Sequence, residues 1–125
     1  MRSAKKTVDE IRAAGGKADF ITSDLRDAAS AREVANKAIE LGNSKVDTLI
    51  NNAGIYPFGL TREISEGSVG PCLFIKCEVP YFPVSALAPI MAKRGKGAIV
   101  NVSTMVADCG APGMSLYGSR PLSIC

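Results

Sequence analysis

The chain contains no histidine. That absence excludes Ser-His-Asp and Cys-His nucleophilic mechanisms and removes the commonest protein ligand for zinc. Proton transfer near neutral pH then falls to a tyrosine, a lysine or a carboxylate. The four cysteines, Cys72, Cys77, Cys109 and Cys125, include no C-x-x-C pair, which argues against both a metal centre and a disulfide scaffold. No run approaches the ~18 consecutive apolar residues of a membrane span. The polar opening Met1-Arg2-Ser3-Ala4-Lys5-Lys6 has no apolar segment behind it, so no membrane partner is expected and the cytoplasm is the expected location. Low-complexity tracts, internal repeats and Pro/Ser-rich linkers are missing too, and residues 1–125 read as one domain. Lys and Arg exceed Asp and Glu by 15 to 12 for a net charge of +3, but they are scattered rather than clustered among aromatics. A nucleic-acid partner has no footprint here.

What is present is an ordinary soluble composition, 46% hydrophobic and 22% charged, with apolar positions that alternate between helical and strand-like spacing. From Ser3 to Ala14, Ala4, Val8 and Ile11 share a helical face, and Gly15-Gly16 supplies a stop. Ala18 to Thr22 is predicted as a short strand, and Ser23-Asp24-Leu25-Arg26-Asp27 leads into a helix over Ala28 to Leu41. The face of that helix carries Val34, Ala38 and Leu41, and Gly42-Asn43 ends it. Two apolar runs, Val46 to Ile50 and Ala98 to Val102, read as buried parallel strands with polar carboxyl ends. A helix with Leu87, Ile90 and Met91 on one face lies between them, closed by Gly95 to Gly97. Alternation of this kind predicts a parallel sheet with helices on both faces, and ligands at the strand carboxyl ends. Gly67 to Pro83 breaks the pattern, with Gly67, Gly70, Pro71, Pro80 and Pro83 in a stretch that helix interiors disfavour.

Polar groups gather where strands should end: Asp24-Leu25, Asn51-Asn52-Ala53-Gly54, and Asn101-Val102-Ser103-Thr104 followed by Tyr117. In Asp47–Gly54 and Gly95–Gly118 the sequence resembles the short-chain dehydrogenase/reductase family, whose signatures include N-N-A-G after the fourth strand and a Ser before a Tyr-x-x-x-Lys. Ala53 and Gly54 carry little bulk, so backbone can approach a flat adenine or ribose there, and asparagine amides can tie neighbouring strand ends together. The resemblance implies that Asp24 hydrogen-bonds an adenine and that Leu25 packs against it, with Asn52, Ala53 and Gly54 also on the cofactor. Thr104 precedes Tyr117 by 13 positions, the family's spacing between its hydroxyl donor and its catalytic tyrosine. Thr104 would then orient the substrate oxygen while Tyr117 exchanges a proton with it and hydride moves to or from a nicotinamide. Ser103 is a competing hydroxyl, one position out of register. The implied fold is a partial Rossmann-type, doubly wound parallel sheet, a single incomplete dinucleotide-binding domain about half of family size.

The chain also departs from the family. A first strand and its Gly-rich cofactor turn are absent, although that turn normally sets the pyrophosphate on a helix N-terminus. Arg2-Ser3 matches the end of a second strand, where an arginine would favour a 2′-phosphate, so NADP is preferred to NAD. No lysine follows Tyr117 at the fourth position, since the next residues are Gly118-Ser119-Arg120-Pro121, and Arg120 is about 100° out of place on a helix. A phenol without a nearby cation titrates near ~10 and is about one part in a thousand ionised at pH 7, so impaired catalysis is expected. Alignment puts Lys76 where the family has a catalytic asparagine. Freely chosen codons for Val69–Pro80, read one base later, yield W-D-R-V-F-S-L-N-V-K-C-P, a family-like string. The end of the chain behaves similarly, which suggests that residues 67–83 and 119–125 are out-of-frame translations and that Lys76 has no selected role. Two functions follow: hydride transfer between an alcohol or carbonyl substrate and NAD(P), or an inactive remnant or partial nucleotide-binding module. Family members often form homo-oligomers, which disruption of the Gly67–Pro83 region would oppose.

Overall fold

The computed structural model describes residues 3–118. Helix α1, Ala4–Ala13, starts at Ser3, whose hydroxyl accepts from the Lys6 amide at 3.3 Å. It ends where Gly15 takes a φ of +83°, a conformation that glycine adopts without strain. Val8 is its buried residue. The return segment is held by Arg12, which donates to the Ala18 carbonyl at 3.0 Å and pairs with Asp19 at 2.6 Å. No strand forms over Ala18–Thr22, contrary to expectation. A strand exists only as part of a ladder; here the Ala18 carbonyl bonds a side chain and Phe20 is half exposed.

Helix α2, Ala28–Leu41, has the bounds that its spacing predicts. Asp27 caps it, accepting from the Ser30 amide and hydroxyl, both at 2.8 Å. These bonds hold the Asp27 carboxyl below the usual carboxylate range, the Ser30 amide contributing most. The folded state therefore binds this proton more weakly than the unfolded chain does. The cap's stabilisation is complete above the ordinary pKa of ~3.9 and is lost as pH falls through the lower folded value. Asp27→Ala is expected to lower the Tm at pH 7 and to shrink the loss of Tm on acidification, as followed by circular dichroism against pH. The inward face of α2 carries the buried Ala31 and Ala35 with the predicted Val34 and Ala38 half-buried beside them, and of the predicted stripe only Leu41 lies off it. Leu41 lies about 80° round the helix from Ala31 and is 58% exposed. Two alanines one turn apart let α2 approach the long helix described next.

Glu66 to Lys93 is helical throughout: α3 (Glu66–Leu73), a five-residue π-turn (Phe74–Glu78) and α4 (Val79–Lys93). The glycines and prolines of Gly67–Pro83 do not break it, which overturns the reading of this stretch as unsuited to a helix. Cys72, Ile75, Val79 and Phe82, and then Leu87 and Met91, are all buried. From Cys72 to Phe82 the spacing of three, four and three residues is that of one helical face, and Leu87 and Met91 follow one turn apart further along. Burial of that stripe and the wider π-turn beside Pro80 offset the backbone bonds that proline removes. Arg32 of α2 lies 4.6 Å from the Phe82 ring centroid. By length and composition the run could cross a membrane, but α4 here packs against α2 and the sheet.

Strands β1, Thr48–Asn51, and β2, Ala98–Asn101, pair in parallel with Thr48 opposite Ala98 and Asn51 opposite Asn101. The crossover between them is helical, as parallel pairing requires. Arg94, just past α4, donates to the Val46 carbonyl at 3.0 Å and pairs with Asp47 at 2.5 Å, clamping the start of β1. A methyl at Gly97 would lie 2.5 Å from the Met91 side chain, so the chain passes closely over α4 before β2. The strands are not buried as their apolar runs predict. Ile50 is 62% exposed and Val100 46%, because the two-stranded sheet formed by the described residues leaves those side chains without a covering layer. The architecture is α/β around a small parallel sheet.

Candidate active site

Both strands end on the same side of the molecule, and their ends are tied: the Asn51 side-chain amide donates to the Asn101 side-chain oxygen at 2.8 Å. The expected asparagine tie is present, made by Asn51. Beyond it, Asn52 and Ala53 line a cavity of about 180 Å³ shared with Leu25, Ala35, Leu49 and Leu87. Leu25 and the adjacent pair Asn52-Ala53 come from separate parts of the sequence and converge on this cavity. A pocket of that size is below the ~300 Å³ at the lower end for whole ligands, and its wall is mainly apolar. Gly54 has no atom within 4 Å of the place a Cβ would occupy. Asp24 does not line the cavity. Its carboxylate is gripped by Arg26, whose Nε lies 2.9 Å from each oxygen and whose Nη2 donates to Oδ2. The Arg26 hydrogen bond holds the Asp24 carboxyl below the usual range.

The end of β2 leads through Thr104, the residue before a 3₁₀ turn at Met105–Ala107, to a loop and then to the single-turn helix α5, Ser115–Gly118. This loop and turn line a second, open pocket of about 370 Å³ at the surface, formed by Val106, Gly110, Ala111, Pro112, Met114 and Ser115. The pocket expected over Val106–Met114 is present. Gly118 also lines it, and a methyl there would stand 2.5 Å from the Val106 carbonyl oxygen. Thr104 is half-buried and its hydroxyl makes no capping bond.

Tyr117 is half-buried on α5 and held from two sides. Tyr56, from the loop after Asn-Asn-Ala-Gly, meets it edge to face at 5.0 Å and 83°, and Phe58 stacks on Tyr56 at 5.9 Å. The same loop is fastened to α5 by a 3.0 Å bond between the Thr61 and Ser115 hydroxyls, and by the Gly59 amide on the Gly113 carbonyl at 3.1 Å. From the other side, Lys76 of the π-turn donates to the Tyr117 carbonyl, its Nζ 4.6 Å from the ring centroid. The expectation of no cation near Tyr117 is therefore wrong. Lys76 is distant in sequence, and the packing of α3, the helix that runs into the π-turn, against α5 brings it in. Tyr56 had a signal, an aromatic two residues beyond the small-residue turn; Lys76 had none beyond its alignment to a family position. Arg2, Arg120 and the Ser119–Cys125 segment lie outside the described residues.

Parallel strands joined through a helical crossover, with their carboxyl ends tied together beside a cavity, place the fold in the Rossmann-type α/β class. The family model for short chain dehydrogenase matches residues 1–120. An uncharacterized oxidoreductase of Thermotoga maritima is 34% identical over 113 residues, covering 90% of this chain and 44% of that protein. The 2,5-dichloro-2,5-cyclohexadiene-1,4-diol dehydrogenase of Sphingobium indicum is 36% identical, covering 91% of this chain and 45% of that protein. A metagenomic short-chain oxidoreductase solved in complex with NADP superposes with a TM-score of 0.82 at 25% identity, over 91% of this chain and 52% of that one. This chain belongs to the short-chain dehydrogenase/reductase family, and it spans about half the length of these curated relatives.

Proposed function

We propose that this chain is an NAD(P)-dependent oxidoreductase that interconverts a small alcohol and its carbonyl. The supporting observation is Tyr117, held on α5 between Tyr56 and Lys76 and thirteen positions after Thr104; the neighbouring 370 Å³ pocket is lined by Ser115 and Gly118 of the same helix and not by Tyr117 itself. When bound, the nicotinamide cofactor supplies the hydride acceptor or donor. Tyr117 exchanges the proton with the substrate oxygen, and Thr104 orients that oxygen through its hydroxyl. The apolar cavity that Leu25, Asn52 and Ala53 help to line would take the adenine ring, with Gly54 allowing close backbone approach and Asp24, once released from Arg26, accepting a hydrogen bond from the base. NADP is preferred, in keeping with the NADP bound in the metagenomic relative. The cytoplasm is the proposed location.

A second reading, a partial nucleotide-binding module without turnover, is favoured by the open sheet, with Ile50 and Val100 exposed. Thermal unfolding with NADPH, NADH or neither separates the readings. A ligand at a hundredfold excess over its Kd stabilises by about 2.7 kcal/mol, so a rise in Tm of several degrees, larger with NADPH, is expected, together with turnover of a simple ketone. A Tm rise without turnover supports the module, and a chain with neither ligand shift nor cooperative melt is an unfolded remnant. The out-of-frame origin of residues 67–83 and 119–125 belongs to the same proposal. It is supported by the family-like string that Val69–Pro80 gives when read one base later. Sequencing the coding DNA tests it, and codons that give no family-like string in either shifted frame would refute it.

A further inference from the structure

We infer that Lys76 is a positioning residue for Tyr117, the part played elsewhere in the site by neither Thr104 nor the cofactor-facing residues. Tyr117 stands on a helix of a single turn, Ser115–Gly118, which has too few internal bonds to hold a side chain rigidly. Its orientation must come from outside. Tyr56 meets the ring edge to face, but Tyr56 itself is 51% exposed on a loop. Lys76 makes two separate contacts, one to the Tyr117 carbonyl and one to the face of its ring. A charge-assisted bond to the backbone fixes the helix turn, and a cation against the ring restrains its rotation.

A second feature concerns where Lys76 comes from. It lies in the middle of the π-turn Phe74–Glu78, between Ile75, which is buried, and Cys77, whose thiol burial pushes upward in pKa. Such turns re-aim one side chain within an otherwise continuous helix and concentrate at functional sites. Ile75 anchors the turn in the core, so the ammonium is delivered from a fixed base. The contact belongs to this chain whatever the history of its coding DNA. Its role in turnover rests on the oxidoreductase reading.

The test is made on the full chain with two readouts. In the NMR spectrum of ¹³C-labelled protein, one lysine Hε resonance is expected upfield of the others because it lies over an aromatic face. That resonance should vanish in Lys76→Met and return toward the others in Tyr117→Leu. Lysine resonances that all sit at random-coil positions, or a shifted one that survives either substitution, overturn the contact. In NADPH-dependent ketone reduction, Lys76→Met should lower kcat by roughly tenfold with KM nearly unchanged, and Lys76→Arg should restore most of it because guanidinium can make both contacts. Unchanged kcat in Lys76→Met overturns the role. A wild-type chain without turnover refutes the oxidoreductase reading and with it the role, while the resonance still decides the contact.

Discussion

Tyr117→Phe is expected to reduce turnover by about 10²–10⁴-fold, the usual worth of a positioned general acid or base, while leaving the fold intact. The substitution deletes one oxygen. The phenylalanine ring keeps its edge contact with Tyr56 at 5.0 Å and its place under the Lys76 ammonium at 4.6 Å, and the carbonyl that Lys76 bonds belongs to the backbone. A half-buried position without lost packing predicts a change in stability within about 0.5 kcal/mol. Cofactor affinity, measured by the NADPH-induced rise in Tm, should also be unchanged, since the residues assigned to the adenine lie at the end of β1. The check is NADPH consumption with a simple ketone, for wild type and variant at matched folded fraction. A variant that retains full kcat would remove Tyr117 from the chemistry, and Ser103 or Thr104 would be the next hydroxyl to examine.

Leu87→Ala should cost about 2–5 kcal/mol in unfolding free energy. Leu87 is 2% exposed and among the largest fully buried side chains of the core. It stands on α4 facing the cavity that Leu25, Ala35 and Asn52 also line. Truncation removes its burial and enlarges a void that already holds about 180 Å³, so the loss should fall toward the upper part of that range. A domain of this size has about 5–15 kcal/mol to lose, and the variant would be marginal at 37 °C. Urea unfolding gives the comparison, with Leu41→Ala as control: Leu41 is 58% exposed and its truncation should stay within about 0.5 kcal/mol. Equal losses in the two variants would mean that the α2–α4 seam is not the core. The Leu87 variant should also lose most of any NADPH-induced rise in Tm, because the ring-sized wall it supports is gone.

Much of the fold was legible because local rules and tertiary packing agreed. The bounds of α2 followed from an acidic cap, helical spacing and Gly42, and all three hold in the folded chain. The parallel pair followed from two apolar runs separated by a helix, with the polar carboxyl ends side by side. Where a local rule met a stronger long-range term, it failed. Gly67–Pro83 looks broken by its glycines and prolines, yet the stripe Cys72, Ile75, Val79 and Phe82 buries enough apolar surface to keep it helical. Ala18–Thr22 has strand-like composition, but a strand needs a neighbour, and none of the described residues supplies one.

The candidate site divides along the same line. Sequence alone determined the family, the Asn-Asn-Ala-Gly turn, and the 13-residue interval from Thr104 to Tyr117, because spacing along a strand-turn-helix segment is local information. Tertiary structure decided which residues share a space: Leu25 with Asn52 and Ala53 around one cavity, Tyr56 against Tyr117, and Lys76 across 41 residues onto the same ring. Those meetings depend on how a π-turn re-aims a side chain and how α2 seats on α4 through two alanines. No single stretch of the chain encodes them, since each requires two elements to be buried against one another before the contact exists.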